Sequence, residues 1–131
     1  MSKETQLLHA GRESDAHFGA VNTPVYHAST ILYPTLAAFR GTAEQRFGYG
    51  RAGTPTSQSL EQALCVLENA AETVLLPSGV AAVNLCFMNV CEAGDHVLIV
   101  DTAYQPTYNC CEHVLKKFNI DAEYYTPRQS I

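Results

Sequence analysis

From residue 56 onward the apolar positions switch between two periods. Leu60, Leu64 and Leu67 recur at helical spacing with Ala63 and Val66 beside them, while Glu61, Gln62 and Glu68 fall on the other side. That pattern predicts a helix over Thr56–Asn69, capped by Thr56 or Ser57 after Pro55. A short apolar run, Thr73–Leu76, predicts a strand that breaks at Pro77-Ser78-Gly79. A small-residue helix follows at once over Gly79–Cys91. It is apolar nearly all round, which predicts a place between two layers. Gly94 ends it in the turn Glu92-Ala93-Gly94-Asp95. His96–Val100 is a continuous apolar run, suited to a strand covered on both faces of a parallel sheet.

Pro106 opens a further helix, with Tyr108, Cys111, Leu115 and Phe118 on one side. Glu112 and Lys116 form an i,i+4 pair on its wet face. Asp121–Tyr125 supplies a third strand. The sum is a β-α-β-α-β run, hence the α/β class with a parallel sheet and right-handed crossovers. Ligands of such sheets bind at the carboxyl ends of the strands, where Ser78-Gly79 and Tyr104 fall.

The N-terminal part is different. Lys3–His9 predicts a short helix stopped by Gly11, and Thr35–Thr42 another with Leu36 and Phe39 on one side. Between them Gly19, Pro24, Ser29-Thr30 and Pro34 interrupt any helical period. Val21, Val25, Tyr26, Ile31, Leu32 and Tyr33 are too apolar for a solvated tail. Residues 1–46 are therefore expected to form an arm lying on a protein surface such as a neighbouring subunit, and residues 47–131 the α/β part.

Composition narrows the function classes. The 131 residues are 47% apolar and 16% charged, which suits one globular domain. The net charge is −5 and Lys116-Lys117 is the sole adjacent pair of lysines, so nucleic acid is not an expected partner. Val80–Val90, interrupted by Asn84 and Asn89, is too short to span a bilayer, and no membrane partner is expected. The N-terminus lacks a basic, apolar signal pattern, so a cytoplasmic protein is expected. Cys65, Cys86, Cys91, Cys110 and Cys111 contain no CxxC pair; they read as buried or half-buried free thiols. No histidine shows metal-ligand spacing, and His96 reads as a structural residue opening its strand.

Two stretches carry candidate chemistry. A helix beginning at Gly79 points unpaired N–H groups and the positive end of its dipole at one place, a seat for an anion such as a phosphate. Alone, this stretch reads as a plain strand-to-helix turn with glycine as punctuation. In Phe47-Gly48-Tyr49-Gly50-Arg51-Ala52-Gly53-Thr54-Pro55-Thr56, Tyr49 and Arg51 sit two apart and face one side if extended. A phenol and a guanidinium there suit a phosphate or carboxylate; alone, the stretch reads equally as a surface loop. With Tyr104 at the next strand exit, the set fits a planar phosphorylated aromatic cofactor better than a simple anion.

The motifs Gly19-Ala20-Val21-Asn22, Tyr49-Gly50-Arg51-Ala52-Gly53-Thr54-Pro55-Thr56, Ser78-Gly79-Val80-Ala81-Ala82, Gly94-Asp95-His96-Val97-Leu98 and Thr102-Ala103-Tyr104-Gln105-Pro106 carry a resemblance. Over nearly its whole length the chain resembles the N-terminal part of the Cys/Met-metabolism family of pyridoxal-phosphate (PLP) enzymes, in the aspartate aminotransferase-like fold type I. The resemblance implies an arm plus the truncated first part of the PLP-binding large domain. It implies that Ser78, Gly79 and Val80 hold the cofactor phosphate; Val80 stands where many relatives have Met. It implies that Tyr104 stacks on the pyridine ring and assists proton movement. Tyr49 and Arg51 would reach the phosphate of the partner subunit, making the active site a property of a dimer within a homo-oligomer, a tetramer.

Where the γ-elimination and γ-replacement branches usually have Asn-Pro-Thr after the Arg, this chain has Gly53-Thr54-Pro55-Thr56. Where they have Tyr-Gly-Gly-Thr, it has Tyr104-Gln105-Pro106-Thr107. Both departures favour the β-lyase branch, which splits cystathionine into homocysteine, pyruvate and ammonia in methionine biosynthesis. The three lysines, Lys3, Lys116 and Lys117, include no counterpart of the family's Schiff-base lysine. The 131 residues are accordingly expected to be a fragment, inactive alone. A γ-lyase, γ-synthase or methionine γ-lyase, a non-catalytic phosphate-binding α/β module and an inert fragment are the alternatives.

Overall fold

A computed structural model describes residues 2–127, so the last four positions of the 47–131 span lie outside the described residues. The chain divides into two compact units, Met1–Leu75 and Leu76–Ile131.

In the first unit, α1 (Lys3–His9) is capped by the Ser2 hydroxyl and is followed by Gly11 at φ +70°. A Cβ on Gly11 would stand 2.0 Å from the Ser59 carbonyl oxygen, so a glycine is needed there on two counts. A 3-10 turn, Ser14–His17, buries His17, whose Nδ1 lies 3.2 Å from the Tyr26 hydroxyl. Arg46 grips Glu13 through both guanidinium nitrogens at 2.8 and 2.7 Å. That fork holds the Glu13 carboxyl below its ordinary range.

α2 (Leu36–Phe39) is the core of the helix expected over Thr35–Thr42, with Thr35 as its cap. α3 (Pro55–Glu68) starts one residue earlier than its apolar period indicates. The cap is Thr54, not Thr56 or Ser57. Thr54 and Ser57 bond reciprocally in a capping box, with Pro55 at the first helical position.

Residues 73–76 do not form a strand: among the described residues no neighbouring backbone pairs with them, and Val74 is exposed. Ladder hydrogen bonds, not apolar content, make a strand.

In the second unit, α4 (Gly79–Val90) leads to β1 (His96–Val100), α5 (Gln105–His113), a 3-10 turn at Leu115–Phe118, and β2 (Asp121–Tyr125). β1 and β2 pair in parallel, from His96 opposite Asp121 to Val100 opposite Tyr125. The crossover is α5, as the alternation requires. The core is small: Ile99, Cys110, Cys111, Leu115 and Ile120, edged by Phe87, Val97 and Tyr124. Cys111 and Leu115 are fully enclosed.

Burial expectations are corrected for α4, for β1 and for Cys86. α4 has no buried residue, and Leu85, Met88 and Val90 face outward. β1 is covered on one face only; Ile99 is buried while Leu98 is 51% exposed. Apolar content all round states a capacity for cover, and among the described residues α4 is covered only in part, chiefly through Phe87 against the core. Cys86, read as at least half-buried, is exposed on α4. His96 sits on the open face, with Nε2 3.2 Å from Glu123.

Glu112 joins the helix layer to the sheet. It pairs with Lys116 and accepts from the Tyr124 hydroxyl at 2.8 Å, while the rings of Tyr124 and Tyr108 stack at 4.7 Å. The Lys116 bond is the main cause that lowers the Glu112 pKa; burial, then Glu112, raises that of Tyr124.

Candidate active site

The sequence of the turn before α4 dictates an open helix end. Ser78 is extended, at φ −164° and ψ 160°, and its side chain accepts from the Ala81 N–H at 3.1 Å. The Ala82 N–H donates to the Ser78 carbonyl at 3.0 Å. Those of Gly79 and Val80 have no acceptor among the described residues. Nothing lies within 4 Å of where a Cβ on Gly79 would stand. Two free donors at the positive end of a 12-residue helix, reached past a residue without a side chain, form a seat for an oxyanion. The Ser78 hydroxyl only accepts in this cap, so its own O–H stays able to donate.

Tyr104 caps α5 in extended geometry, and its carbonyl accepts from the Thr107 N–H at 2.8 Å. Its side chain is 77% exposed. No hydrogen bond or ring contact among the described residues ties its phenol to the turn at Ser78–Val80.

In the first unit Tyr49 and Arg51 are brought together. The guanidinium carbon of Arg51 lies 5.7 Å from the centre of the Tyr49 ring, a cation–π arrangement that leaves the planar N–H fork available. Arg51 borders a cavity of about 420 Å³ shared with Tyr26, His27, Thr54 and Glu61. Tyr49 pairs with Thr30 in an isolated antiparallel bridge, and the Gly50 N–H donates to Ser29 at 2.7 Å. This backing of the loop by residues 24–30 has no local signature in the sequence, because the partners lie some twenty residues apart. Pro55-Thr56 in a first helical turn is the nearest thing to a signal.

Each unit by itself carries donors suited to a phosphate-bearing ligand: an arginine fork and a phenol in the first, main-chain N–H groups at a helix start and an exposed phenol in the second. Residues 4–130 match the model of the Cys/Met metabolism PLP-dependent enzyme family. The chain belongs to this family. It is 39% identical over 128 residues to cystathionine beta-lyase MetC of Escherichia coli, which covers 95% of this chain and 32% of that protein. It is 35% identical to cystathionine gamma-synthase of Mycobacterium bovis, over 94% of this chain and 30% of that one. Among solved structures, cystathionine gamma-lyase from Lactobacillus plantarum, complexed with L-serine, superposes with a TM-score of 0.85 at 32% identity. That match covers 98% of this chain and 32% of the other. The chain spans about a third of the length of the relatives it matches. Its fold is the corresponding part of a type I PLP enzyme, a PLP-dependent family.

Proposed function

We propose that these residues are the N-terminal part of a cystathionine β-lyase, a PLP-dependent carbon–sulfur lyase of the trans-sulfuration group. The observation that carries the cofactor half of this reading is the pair of unbonded N–H groups at Gly79 and Val80 beside an open Cα. PLP, once bound, supplies an electron sink for the carbanion left when a substrate loses its Cα proton.

The residues of this chain would bind and orient. Gly79 and Val80 donate to phosphate oxygens from the main chain, which makes the side chain of Val80 immaterial. Arg51 offers a bidentate fork and Tyr49 a phenol, to the site of a neighbouring subunit. The exposed ring of Tyr104 would stack on the cofactor ring, and its hydroxyl would help to pass a proton. Residues 1–46 serve as the arm that contacts the neighbouring subunit, and 47–131 begin the cofactor-binding domain. The assembly is a homo-oligomer, proposed as a tetramer, and the protein is cytoplasmic.

Gly53-Thr54-Pro55-Thr56 and Tyr104-Gln105-Pro106-Thr107 support β- over γ-chemistry. A γ-lyase or γ-synthase is the second reading, favoured by the likeness to the M. bovis and L. plantarum proteins. Supplying cystathionine to the full-length polypeptide that carries this sequence separates the two. Pyruvate with homocysteine supports β-elimination; 2-oxobutyrate with cysteine supports the second reading. The 131 residues by themselves are proposed to be inactive. Lys116 is engaged by Glu112, Lys3 opens α1 and Lys117 lies in the 3-10 turn after α5.

A further inference from the structure

The Tyr49–Arg51 loop has little of its own to hold it. Its glycines give the backbone freedom, and within the loop the Ala52 N–H reaches back to the Tyr49 carbonyl at 2.9 Å. What fixes it is the extended segment beside it. Thr30 bridges Tyr49, and Ser29 accepts from the Gly50 N–H at 2.7 Å. The approach is so close that a Cβ on Gly50 would stand 1.7 Å from the Ala28 carbonyl oxygen.

That segment is in turn stapled to α3 by one hydroxyl. Thr56 Oγ1 accepts from the Tyr26 N–H at 2.8 Å and donates to the Pro24 carbonyl at 2.8 Å. It satisfies two main-chain groups two residues apart, so it fixes both the position and the direction of the strand. Thr23 adds a contact to Ser59 at 3.0 Å just before it. Removing the Thr56 hydroxyl hands the two exposed main-chain groups to water and frees the segment at its α3 end.

We propose that Thr56 is a positioning residue for the anion grip of Tyr49 and Arg51, acting through Pro24–Thr30 on the main chain at Gly50. The proposal rests on the reading that Tyr49 and Arg51 hold the cofactor phosphate. A loop displaced by about 1 Å misaligns a bidentate fork, whose bonds weaken steeply with angle.

The test uses the full-length polypeptide without cofactor, titrated by equilibrium dialysis with pyridoxal phosphate and, separately, with pyridoxal, which lacks the phosphate. Thr56→Val is expected to raise the dissociation constant for pyridoxal phosphate about tenfold, the effect of misaligning about one hydrogen bond to a charged group. Its affinity for pyridoxal stays unchanged, and Thr56→Ser, which keeps the hydroxyl, restores the wild-type value. Equal losses for both ligands, or no loss for Thr56→Val where Arg51→Gln does lose affinity, overturn the positioning role and leave the grip standing. No loss of pyridoxal phosphate affinity in Arg51→Gln overturns the grip itself, and the proposal with it. Should Thr56→Val fail to fold, Thr56→Ala in a Thr23-intact background carries the same comparison.

Discussion

The N–H of Gly50 donates to the carbonyl of Ser29 across 2.7 Å, and this bond joins the N-terminal segment to the loop that carries Arg51. Its length depends on the missing side chain at Gly50, since the Ala28 carbonyl occupies the space a Cβ would need. The glycine is thus a packing requirement here, not a turn requirement.

Gly50→Ala is therefore expected to force the two backbones apart. Overpacking of this kind costs about 1–3 kcal/mol. Thermal denaturation should show a lowered midpoint, and limited proteolysis should open the chain near residue 50 before elsewhere. Gly94→Ala is a control of a different kind: it has open space around its Cβ but a φ of +99°, so any loss there is conformational.

Leu115 and Cys111 are the two fully enclosed side chains of the second unit's core. Leu115→Ala is expected to destabilise that unit by about 2–5 kcal/mol, transfer and cavity terms together. Chemical denaturation followed by circular dichroism measures it. Phe118→Ala, which alters an exposed ring, should change stability far less.

Much of this architecture is legible in the residues. The Leu60-Leu64-Leu67 period finds its helix to within a residue, and Pro106 marks the start of α5 as closely, because capping and periodicity are local; the helix expected on through Phe118 instead ends at His113 and gives way to the 3-10 turn. His96–Val100 is found because it is short, bounded and rich in strand formers, whereas Asp121–Tyr125 has only its two tyrosines and follows from its place after the crossover helix. What the residues do not reveal is long-range. Val74-Leu75-Leu76 has the look of a strand but no ladder partner among the described residues. α4 has the composition of a covered helix and is covered only in part. Thr54 takes the cap because Ser57 reciprocates, a choice among three adjacent hydroxyls. At the site, Gly79 and Arg51 are visible as types of donor, whereas the Thr56 staple depends on a partner thirty residues away.

Glu112 couples stability to pH in both directions. Its pKa is lowered in the folded state, chiefly by Lys116, so its contribution is present above the ordinary carboxylate range and is lost as pH falls through it. Tyr124 is shifted the other way, by burial first and by Glu112 second. Its contribution is full below the ordinary phenol range and is lost as pH rises beyond it. A stability profile against pH should fall at both ends. Glu112→Gln should flatten the acid limb and reduce the alkaline one.

The five thiols should differ sharply in reactivity. Cys86 is exposed, whereas Cys110 and Cys111 are buried, and burial raises the pKa of both. Since the thiolate is the reacting form, a disulfide reagent such as DTNB should label Cys86 rapidly and reach Cys110 and Cys111 only on unfolding. Peptide mapping after a short exposure distinguishes them.

The free N–H of Gly79 is tested most directly by removing it while keeping the helix. Gly79→Pro does so, because proline is well suited to a first helical position and lacks the donor; Gly79→Ala keeps the donor and adds a comparable Cβ. In the full-length polypeptide without cofactor, Gly79→Pro should weaken pyridoxal phosphate binding about 10- to 100-fold, as expected for one hydrogen bond to a charged group. Gly79→Ala should bind it several-fold more tightly than Gly79→Pro does. Equal affinity in the wild type and Gly79→Pro would contradict the placement of the phosphate on this helix.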